Sequence, residues 1–362
     1  MAKVMVGMSG GVDSSVAAKL LLDMGYEVAG VTLKLFDSED IYSKETRTCC
    51  SLTDVEDARS VAYKLGFEHY VFNFKDKFRE DVIKQFSESY LKGETPNPCI
   101  ECNRHIKFDK MLERAEELGY DYIATGHYAE IRYDEKSGRY LLIRPKDRSK
   151  DQTYVLYSLT QHQLKHTLFP LSNYDKTTVR EIAEKAGLIN SRKPDSQDIC
   201  FVPDGDYAGF IERSTGITSE SGSFVDSKGN VLGTHSGIIN YTIGQRKGLG
   251  VTFGKPMFVV DKNVSDNTVT LGEQPELFKK VLYAYDVNLI SIEKISEPIR
   301  VTAKTRYSQT ERQATVYPCE NGIKVVFDEP QRAVTAGQAV VLYDGDIVVG
   351  GGTIRYSEKG EN

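Results

Sequence analysis

The feature that most constrains this chain is a glycine- and serine-rich turn close to its start. The short apolar run Lys3–Gly7 leads into Ser9-Gly10-Gly11-Val12-Asp13-Ser14, and apolar residues then recur at helical spacing as far as Met24. Glycines let the backbone come close to an anion, and the N–H groups at the start of a helix favour negative charge. Asp13 is placed to hold Mg²⁺ beside a phosphate. The turn predicts a phosphate-binding loop rather than an ordinary serine-rich turn, although the lysine of a GxxxxGK[ST] loop is missing.

The chain after the loop alternates between apolar strands and amphipathic helices. Strands are predicted at Val28–Phe36, Tyr70–Phe74 and Tyr122–Thr125, and helices at Asp54–Leu65, Phe78–Leu91, Ile106–Leu118 and Thr178–Ala186. Such alternation is typical of an α/β fold with a doubly wound parallel sheet. The loop then follows the first strand, where sheets of this kind bind their ligands.

Beyond residue 205 the helical spacing fades and β-branched runs appear. Strands are predicted at Val281–Ile292, Ile299–Tyr307, Gln313–Tyr317, Ile323–Phe327, Ala339–Tyr343 and Ile347–Tyr356. Asp344-Gly345 between the last two is a hairpin signal. We therefore predict a catalytic domain over 1–205, a small mixed central domain over 206–278 and a C-terminal antiparallel β-barrel over 279–362.

Composition narrows the class of protein. No apolar run approaches the roughly 20 residues that a membrane helix needs, and the first residues lack a signal-peptide pattern, so we expect a cytoplasmic protein without a membrane partner. The net charge of −6 argues against a protein that coats nucleic acid indiscriminately. Local basic clusters, such as Arg144–Lys150 and Arg246-Lys247, still leave RNA open as a partner.

Two of the six cysteines are predicted to be chemically active. Cys102 precedes a helix expected to begin near His105, where the helix dipole would stabilise a nucleophilic thiolate. Cys200 lies in the polar turn Asp195–Phe201. Cys319, inside a barrel strand, is expected to be a small buried hydrophobe, and the adjacent Cys49-Cys50 is interpreted as structural.

The loop resembles that of the N-type ATP pyrophosphatases, which adenylate an oxygen of their substrate and release pyrophosphate. The whole chain resembles the tRNA-specific 2-thiouridylase family. The motifs that carry this resemblance are Gly7–Ser15, Thr95–Pro98 with Cys102-Asn103, Ala124–Tyr128, Lys150–Gln152, Ser196–Phe201, Tyr241–Gly250 and Ala336–Gln338. That family installs sulfur at C2 of the wobble uridine of glutamine, lysine and glutamate tRNAs.

The resemblance implies a role for each matching residue. ATP is expected to contact Gly7, Met8, Ser9, Gly10, Gly11, Val12, Asp13, Ser14 and Gly126, with Leu33 at the adenine. Asn97, Pro98 and Cys99 would face the target base. Cys200 would carry a persulfide received from a cysteine desulfurase or relay protein, and Cys102 would be its nucleophilic partner. The tRNA would contact His127, Lys150, Asp151, Gln152, Arg306, Tyr307 and Gln338.

The chemistry of the reaction is consistent with these roles for the ATP-binding loop and the two cysteines. A urea-like C2 carbonyl has a poor leaving group, so its oxygen is adenylated first, while Mg²⁺ and the loop stabilise the departing pyrophosphate. The persulfide sulfur, or hydrosulfide released from it, then attacks C2 and AMP leaves. The uridine has to be splayed out of the anticodon loop to be reached.

One position departs from the family pattern. Many members carry aspartate, a candidate acid/base, where this chain has Cys99, and the change creates Cys99-x-x-Cys102. Three sites are then conceivable: a [4Fe–4S] cluster on Cys99, Cys102 and Cys200, a persulfide site that ends in a Cys102–Cys200 disulfide, or a zinc site. We favour the persulfide site, because it needs only Cys102 and Cys200.

Two other functions remain open at this point. One is another adenylating enzyme, such as a lysidine synthetase or an amidotransferase-fed synthetase, which would not require the cysteine pair. The other is an RNA-binding or metal-sensing module with a degenerate ATP loop. The intact Ser9–Ser14 motif and the two well-placed cysteines argue against the second.

Overall fold

A computed structural model describes residues 1–37, 52–194 and 199–356. Its first layer is a parallel sheet with strand order β3-β2-β1-β4-β7. The strands are β1 (Lys3–Gly7), β2 (Glu27–Lys34), β3 (His69–Asn73), β4 (Tyr122–Ala124) and β7 (Thr167–Leu168). The predicted α/β class is confirmed, and β1 lies at the centre of the sheet.

Helices cover this sheet, and those predicted at Asp54–Leu65, Phe78–Leu91 and Thr178–Ala186 lie close to their predicted positions. They are α1 (Val12–Asp23), α2 (Leu52–Leu65), α3 (Lys75–Phe78), α4 (Lys84–Leu91), α5 (Pro98–Glu101), α6 (Met111–Glu117), α7 (Thr153–Leu156), α8 (Gln161–Lys165) and α9 (Lys176–Lys185). Two π-helical stretches, Arg79–Ile83 and Cys102–Lys110, make α3–α4 and α5–α6 continuous. Burial explains the placement: the α1 residues Val16, Ala17 and Leu21 lie in the core with Val4 and Val6 of β1.

The central region holds α10 (Tyr207–Thr215) and a four-stranded sheet of order β10-β11-β8-β9. Its strands are β8 (Gly222–Val225), β9 (Val231–His235), β10 (Phe258–Asn263) and β11 (Thr268–Gly272). Its core is continuous with that of the first domain, because Phe224 and Val259 belong to the same apolar cluster as Phe86 and Cys102.

The C-terminal region is the predicted antiparallel barrel. Its strands are β12 (Phe278–Leu289), β13 (Ile299–Lys304), β14 (Arg312–Cys319), β15 (Gly322–Arg332), β16 (Ala339–Asp344) and β17 (Ile347–Arg355). Pairing of β12 with β17 closes the ring. Closure leaves none of these six strands as an open edge, and mainly aliphatic side chains, with Phe327, fill the interior.

The sequence analysis missed one hairpin, which ties the first domain to the barrel. Strands β5 (Glu130–Asp134) and β6 (Arg139–Ile143) form an antiparallel pair, and Ile143 pairs with Ile347 of β17. Strands β5 and β6 therefore belong to one eight-stranded sheet together with the six strands of the barrel. The charged residues of β5 obscure its alternation in the sequence, so its signal is weak.

In the described part of the chain, we find no helix with the length and apolar character needed to cross a membrane.

Candidate active site

Two glycines let the predicted phosphate loop take its shape. Gly10 adopts a left-handed φ of 71°, and a Cβ there would lie 2.5 Å from the carbonyl oxygen of Asp54. A Cβ on Gly126, at the end of β4, would lie 2.6 Å from the backbone nitrogen of Ser14. Larger residues would therefore push the loop out of position. Gly11 is the N-cap of α1 and supplies no capping side chain, which leaves the first turn of the helix suited to an external anion.

An asparagine far along the chain holds the loop from the other side. The Asn190 side-chain amide donates to the carbonyl oxygens of Gly10 and Gly11, at 2.9 and 3.2 Å, and to Ser15 Oγ at 2.9 Å. Asn190 is buried. The sequence analysis did not identify this residue, because no local pattern relates it to the loop.

The carboxylate of Asp13 is paired with a lysine. Lys176, the first residue of α9, places Nζ 2.8 and 2.7 Å from the two carboxylate oxygens. The Tyr128 hydroxyl donates to the same carboxylate at 2.8 Å. In a GxxxxGK loop the positive charge comes from a lysine of the loop itself. Here the charge next to the loop comes from Lys176, which is distant in the sequence and is placed there by the fold. Its signal in the sequence is only a lysine at the start of a helix.

Two neutral histidines lie behind the loop. Thr32 donates to the carbonyl oxygen of Met8 at 2.9 Å and contacts His69 Nε2 at 2.9 Å. Burial, and then the charge of Arg59, lower the pKa of His69 to about 4. Just after β4, which lies on the other side of β1, Thr125 Oγ1 is 2.7 Å from Nδ1 of His127.

His127 was predicted to contact tRNA, and its ring is partly enclosed by the protein. The ring packs against Phe108 and Phe169, with centroids 5.7 and 6.0 Å away. Burial first, and then the charge of Lys107, lower its pKa well below the ordinary value. His127 is therefore uncharged near neutral pH, so any contact with tRNA would be a hydrogen bond rather than an ion pair.

The cysteine helix starts earlier than the sequence analysis predicted. It begins at Pro98, not near His105, and the side chain of Asn97 caps it by accepting from the Cys99 amide at 3.1 Å. Cys99 is exposed in the first turn, whereas Cys102 is buried one turn further in. The argument from the helix dipole therefore applies to Cys99 rather than to Cys102, which is a correction.

Cys102 and Cys200 belong to one apolar cluster. Cys102 is 7% exposed within it, and Cys200 packs against it from the side. Phe86 and Phe201 belong to the same cluster, with ring centroids 5.3 Å apart. The rest of the motif around Cys200, Asp195–Asp198, and the pair Cys49-Cys50 lie outside the described residues.

The cysteine cluster and the phosphate loop lie at the same edge of the parallel sheet. Leu35 and Phe36, which follow β2, belong to the cluster that holds Cys102. Since β2 pairs in parallel with β1, its carboxyl end lies beside the loop that follows β1. Leu33, the predicted adenine contact, packs against this cluster as well.

The three cysteines considered for an iron–sulfur cluster differ in their exposure. Within residues 1–37, 52–194 and 199–356, none of them belongs to a group of three metal-ligating side chains whose ligand atoms all lie within 4.8 Å of one another, a spacing that suits a single ion rather than a multi-iron cluster. Cys99 is exposed, whereas Cys102 is buried in an apolar environment. The choice between the iron–sulfur and the persulfide site therefore stays a prediction.

A cleft of about 230 Å³ opens beside the cysteine helix. Asn97 and Pro98 line it on one side, and Ala339 and Thr353 of the barrel line it on the other. Arg104 contributes the positive charge in this cleft and is paired with Asp286 of the barrel. Two of the three residues predicted to face the target base therefore border an open cavity between domains.

Comparison with known proteins places the chain in a family. Three sequence-family models match the chain. The tRNA methyl transferase HUP domain family matches residues 2–204, the tRNA methyl transferase PRC-barrel domain family matches residues 209–273, and the aminomethyltransferase beta-barrel domain family matches residues 279–354. The tRNA-specific 2-thiouridylase MnmA of Clostridioides difficile (strain 630) is 58% identical over 356 residues, 98% of each chain. That of Acetivibrio thermocellus is 58% identical over 355 residues, 98% of this chain and 99% of the relative. The chain belongs to the tRNA-specific 2-thiouridylase family.

As a 2-thiouridylase, the protein is a nucleotide-binding sulfurtransferase that modifies tRNA. A solved complex of a 4-thiouridine synthetase with RNA and ATP aligns over 59% of this chain and 53% of that chain, at 20% identity and a TM-score of 0.38. That score is too low to bear on function.

Several residues predicted to bind tRNA in this 2-thiouridylase join its domains. Arg306 donates to the carbonyl oxygens of Ile243 and Ala333, at 3.1 and 2.9 Å, and so connects the barrel to the central domain. Gln338 donates to the carbonyl oxygen of Thr95 at 2.7 Å, next to the cysteine helix. Their assignment as tRNA contacts stays a prediction.

The remaining predicted tRNA contacts lie where β6, α7 and the barrel meet. Gln152 accepts from the Tyr128 amide at 2.8 Å, and Asp151 accepts from the backbone of Thr153 at 2.9 Å. Tyr307 is 44% exposed, and its ring packs edge-on against Tyr154. Lys150 ends the short helical turn Arg148–Lys150. Tyr307 thus presents a ring on which a base could stack.

Proposed function

We propose that this enzyme adenylates the C2 oxygen of the wobble uridine of tRNA with ATP and then replaces that oxygen with sulfur from a persulfide on Cys200. AMP and pyrophosphate are released. The observation that carries the proposal is that the phosphate loop and the Cys102–Cys200 cluster lie at one edge of one sheet. An enzyme that adenylates a uridine and then transfers sulfur to it needs the phosphate site and the sulfur carrier close to the same base.

The loop supports the adenylation step. The first turn of α1, opened by Gly11, can receive phosphate oxygens. Lys176 lies close enough to Asp13 to pair with a bound phosphate instead, which would leave the carboxylate for Mg²⁺. A bound Mg²⁺ would offset the charge of the pyrophosphate leaving group.

The cysteines support the sulfur-transfer step. The terminal sulfur of the Cys200 persulfide attacks C2, and the C2–O bond breaks as AMP leaves. The Cys102 thiolate then attacks the Cys200 sulfur, which breaks the persulfide S–S bond and leaves a C2 thiocarbonyl and a Cys102–Cys200 disulfide. An external thiol restores the two cysteines. Cys99 needs no role in this sequence of steps.

Membership of the family supports a proposal for the substrate and the partners. We propose the wobble uridine of the glutamine, lysine and glutamate tRNAs as the target, a cysteine desulfurase or relay protein as the persulfide donor, and the cytoplasm as the place of reaction. The base would be splayed out beside Asn97 and Pro98, at the cleft between the cysteine helix and the barrel. The tRNA would extend over basic patches of more than one domain, so its affinity should fall steeply with salt.

The test is a reconstituted reaction with unmodified tRNA transcripts, ATP, Mg²⁺ and a cysteine desulfurase with cysteine. We expect one AMP, one pyrophosphate and one 2-thiouridine at the wobble position for each turnover, measured by chromatography and nucleoside mass spectrometry. Formation of ADP and phosphate would contradict the adenylation step. Adenylation without any thiouridine, with every donor tried, would favour another adenylating enzyme.

A further inference from the structure

A group of metal-ligating side chains lies on the surface of the first domain, away from the cysteines. Glu116 near the end of α6, His162 in α8 and His166 just after α8 place one ligand atom each within 4.8 Å of one another. His162 and His166 are one helical turn apart, which brings both rings to one face. Their ring centroids are 4.8 Å apart.

The separations suit a small transition-metal ion. His162 Nε2 lies 3.0 Å from Glu116 Oε1. With metal–ligand bonds of about 2.1 Å, the ligand atoms of a tetrahedral zinc ion lie about 3.4 Å apart. A shift of a few tenths of an ångström would therefore make room for the ion between these two atoms.

The second histidine is already oriented as a ligand would be. His166 Nδ1 lies 3.1 Å from the carbonyl oxygen of Asp121. A carbonyl can only accept, so Nδ1 carries the proton and Nε2 keeps its lone pair. Histidines that bind metals are commonly held in this way by a backbone carbonyl. The backbone of His166 is fixed too, because its own carbonyl accepts from Ile123 of β4 at 2.8 Å.

The neighbouring carboxylates are engaged elsewhere, which leaves Glu116 to face the histidines. Glu113 pairs with Lys110, and Glu117 pairs with Arg114. An imidazole–imidazole–carboxylate set is one that zinc, nickel and copper ions favour over magnesium or calcium.

We propose that Glu116, His162 and His166 form a binding site for a divalent transition metal, with Zn²⁺ as the fitting ion and solvent as the fourth ligand. The ion would join α6, the last part of the cysteine helix, to α8 and to the start of β4. Asp121 precedes β4 and bonds to Lys3 at the start of β1, so the site lies at the opposite edge of the sheet from the phosphate loop. Its role would be structural rather than catalytic.

The test is Zn²⁺ binding by the full-length protein, measured by competition with a chromophoric chelator. We expect His162→Ala and His166→Ala each to bind one Zn²⁺ fewer per chain than the wild type, and Glu116→Gln to bind it more weakly. The matched control is His105→Ala, because His105 Nε2 also pairs with a glutamate, Glu101, at 3.2 Å but belongs to no group of three metal-ligating side chains among the described residues. This control should bind as much Zn²⁺ as the wild type.

The absorption spectrum with Co²⁺ and the unfolding temperature with Zn²⁺ distinguish binding at this site from binding at the cysteines. The Co²⁺ absorption that is lost in His162→Ala should lack a thiolate charge-transfer band. One equivalent of Zn²⁺ should raise the unfolding temperature of the wild type and of His105→Ala, but not that of His162→Ala. Equal Zn²⁺ stoichiometry in all variants, loss of Zn²⁺ in His105→Ala, or a thiolate band in the lost cobalt spectrum would each overturn the proposal.

Discussion

The phosphate loop and the cysteine cluster lie at one edge of the same sheet and are built in opposite ways. The loop is polar, and hydrogen bonds and ion pairs from distant elements hold it, including those of Asn190 and Lys176. The cluster is apolar, with Cys102 only 7% exposed among aromatic rings. A preorganised polar loop suits phosphate chemistry, which depends on positioning. A buried thiol has to become accessible before it can attack a sulfur atom, so in the proposed mechanism the sulfur-transfer step would require movement that the adenylation step would not.

The largest effect should come from removing either cysteine. In Cys102→Ser and in Cys200→Ser, we expect thiolation to fall by about 10³-fold or more, while tRNA-dependent pyrophosphate release stays within about two-fold. The double variant should be no worse than either single one, because the two thiols act in one transfer. Thiouridine and pyrophosphate are quantified in the same reaction.

Cys319→Ser is the control for this experiment, because Cys319 ends β14 in the barrel, and it should keep both activities. Parallel loss of pyrophosphate release in the Cys102 and Cys200 variants would show that the two halves of the site are not separable.

The next effect tests how rigid the loop is. In Gly126→Ala the new Cβ would meet backbone atoms of Asp13 and Ser14 at 2.7 and 2.6 Å, and neither can move without displacing α1. We expect pyrophosphate release to fall by about 10²-fold, the cost of a misplacement near 1 Å. Gly254→Ala is the control, since a Cβ there has no neighbour within 4 Å among the described residues. Unchanged ATP kinetics in Gly126→Ala would mean that the loop is as adaptable as the cysteine cluster.

A smaller effect is expected from Lys176→Met. The substitution removes the ion pair with Asp13, which is only partly exposed, and also a positive charge beside the phosphates. We expect pyrophosphate release to fall by about 10–100-fold, with partial recovery in Lys176→Arg. If Lys176 and Asp13 act as a unit, the double variant Asp13→Asn/Lys176→Met should lose less transition-state stabilisation than the two single variants lose together.

Lys19→Met is the matched control, because Lys19 pairs with Asp23 at 2.5 Å on the exposed side of α1. An exposed pair of this kind contributes little, so its loss should leave the kinetics unchanged. An equal loss of activity in this control would point to α1 itself rather than to Lys176.

The parts of this molecule that could be predicted from the sequence are those encoded by local spacing. The loop, the parallel strands and the barrel strands follow from runs of a few residues, because apolar periodicity and glycine positions act over one or two turns. Lys176 and Asn190 could not be found in this way. Each reaches the loop only through the fold, and neither belongs to a motif.

The cysteine helix shows a second limit. Its start at Pro98 is explained by a capping asparagine and a proline at the first helical position, both of which are visible in the sequence. The prediction of a start near His105 was wrong because the polar run Glu101–Lys107 masks the apolar spacing of the first turns. The union of the β5–β6 hairpin with the barrel could not be predicted, since its partner strand lies near the other end of the chain.

The smallest expected effect concerns the acid stability of the loop region. Thr32 already donates to Met8, so its oxygen accepts from Nε2 of a neutral His69. Nδ1 of His69 is buried and has no hydrogen-bond partner among the described residues. Protonation would put an unpaired N–H and a charge there, in agreement with the lowering of the pKa from 6.5 to about 4.

The sign of the effect follows from proton uptake. Between pH 6.5 and about 4 the unfolded chain binds a proton at His69 that the folded chain does not, so stability falls as the pH falls through this window. The contribution is about 1–2 kcal/mol of the free energy of unfolding, less than the full shift allows because the ring is partly exposed. His69→Gln should therefore lose less stability than the wild type between pH 7 and pH 4.5 in urea denaturation. If His69→Gln and the wild type lose stability in parallel, the acid sensitivity does not come from His69, and the loop region would not differ from the rest of the molecule in its response to pH.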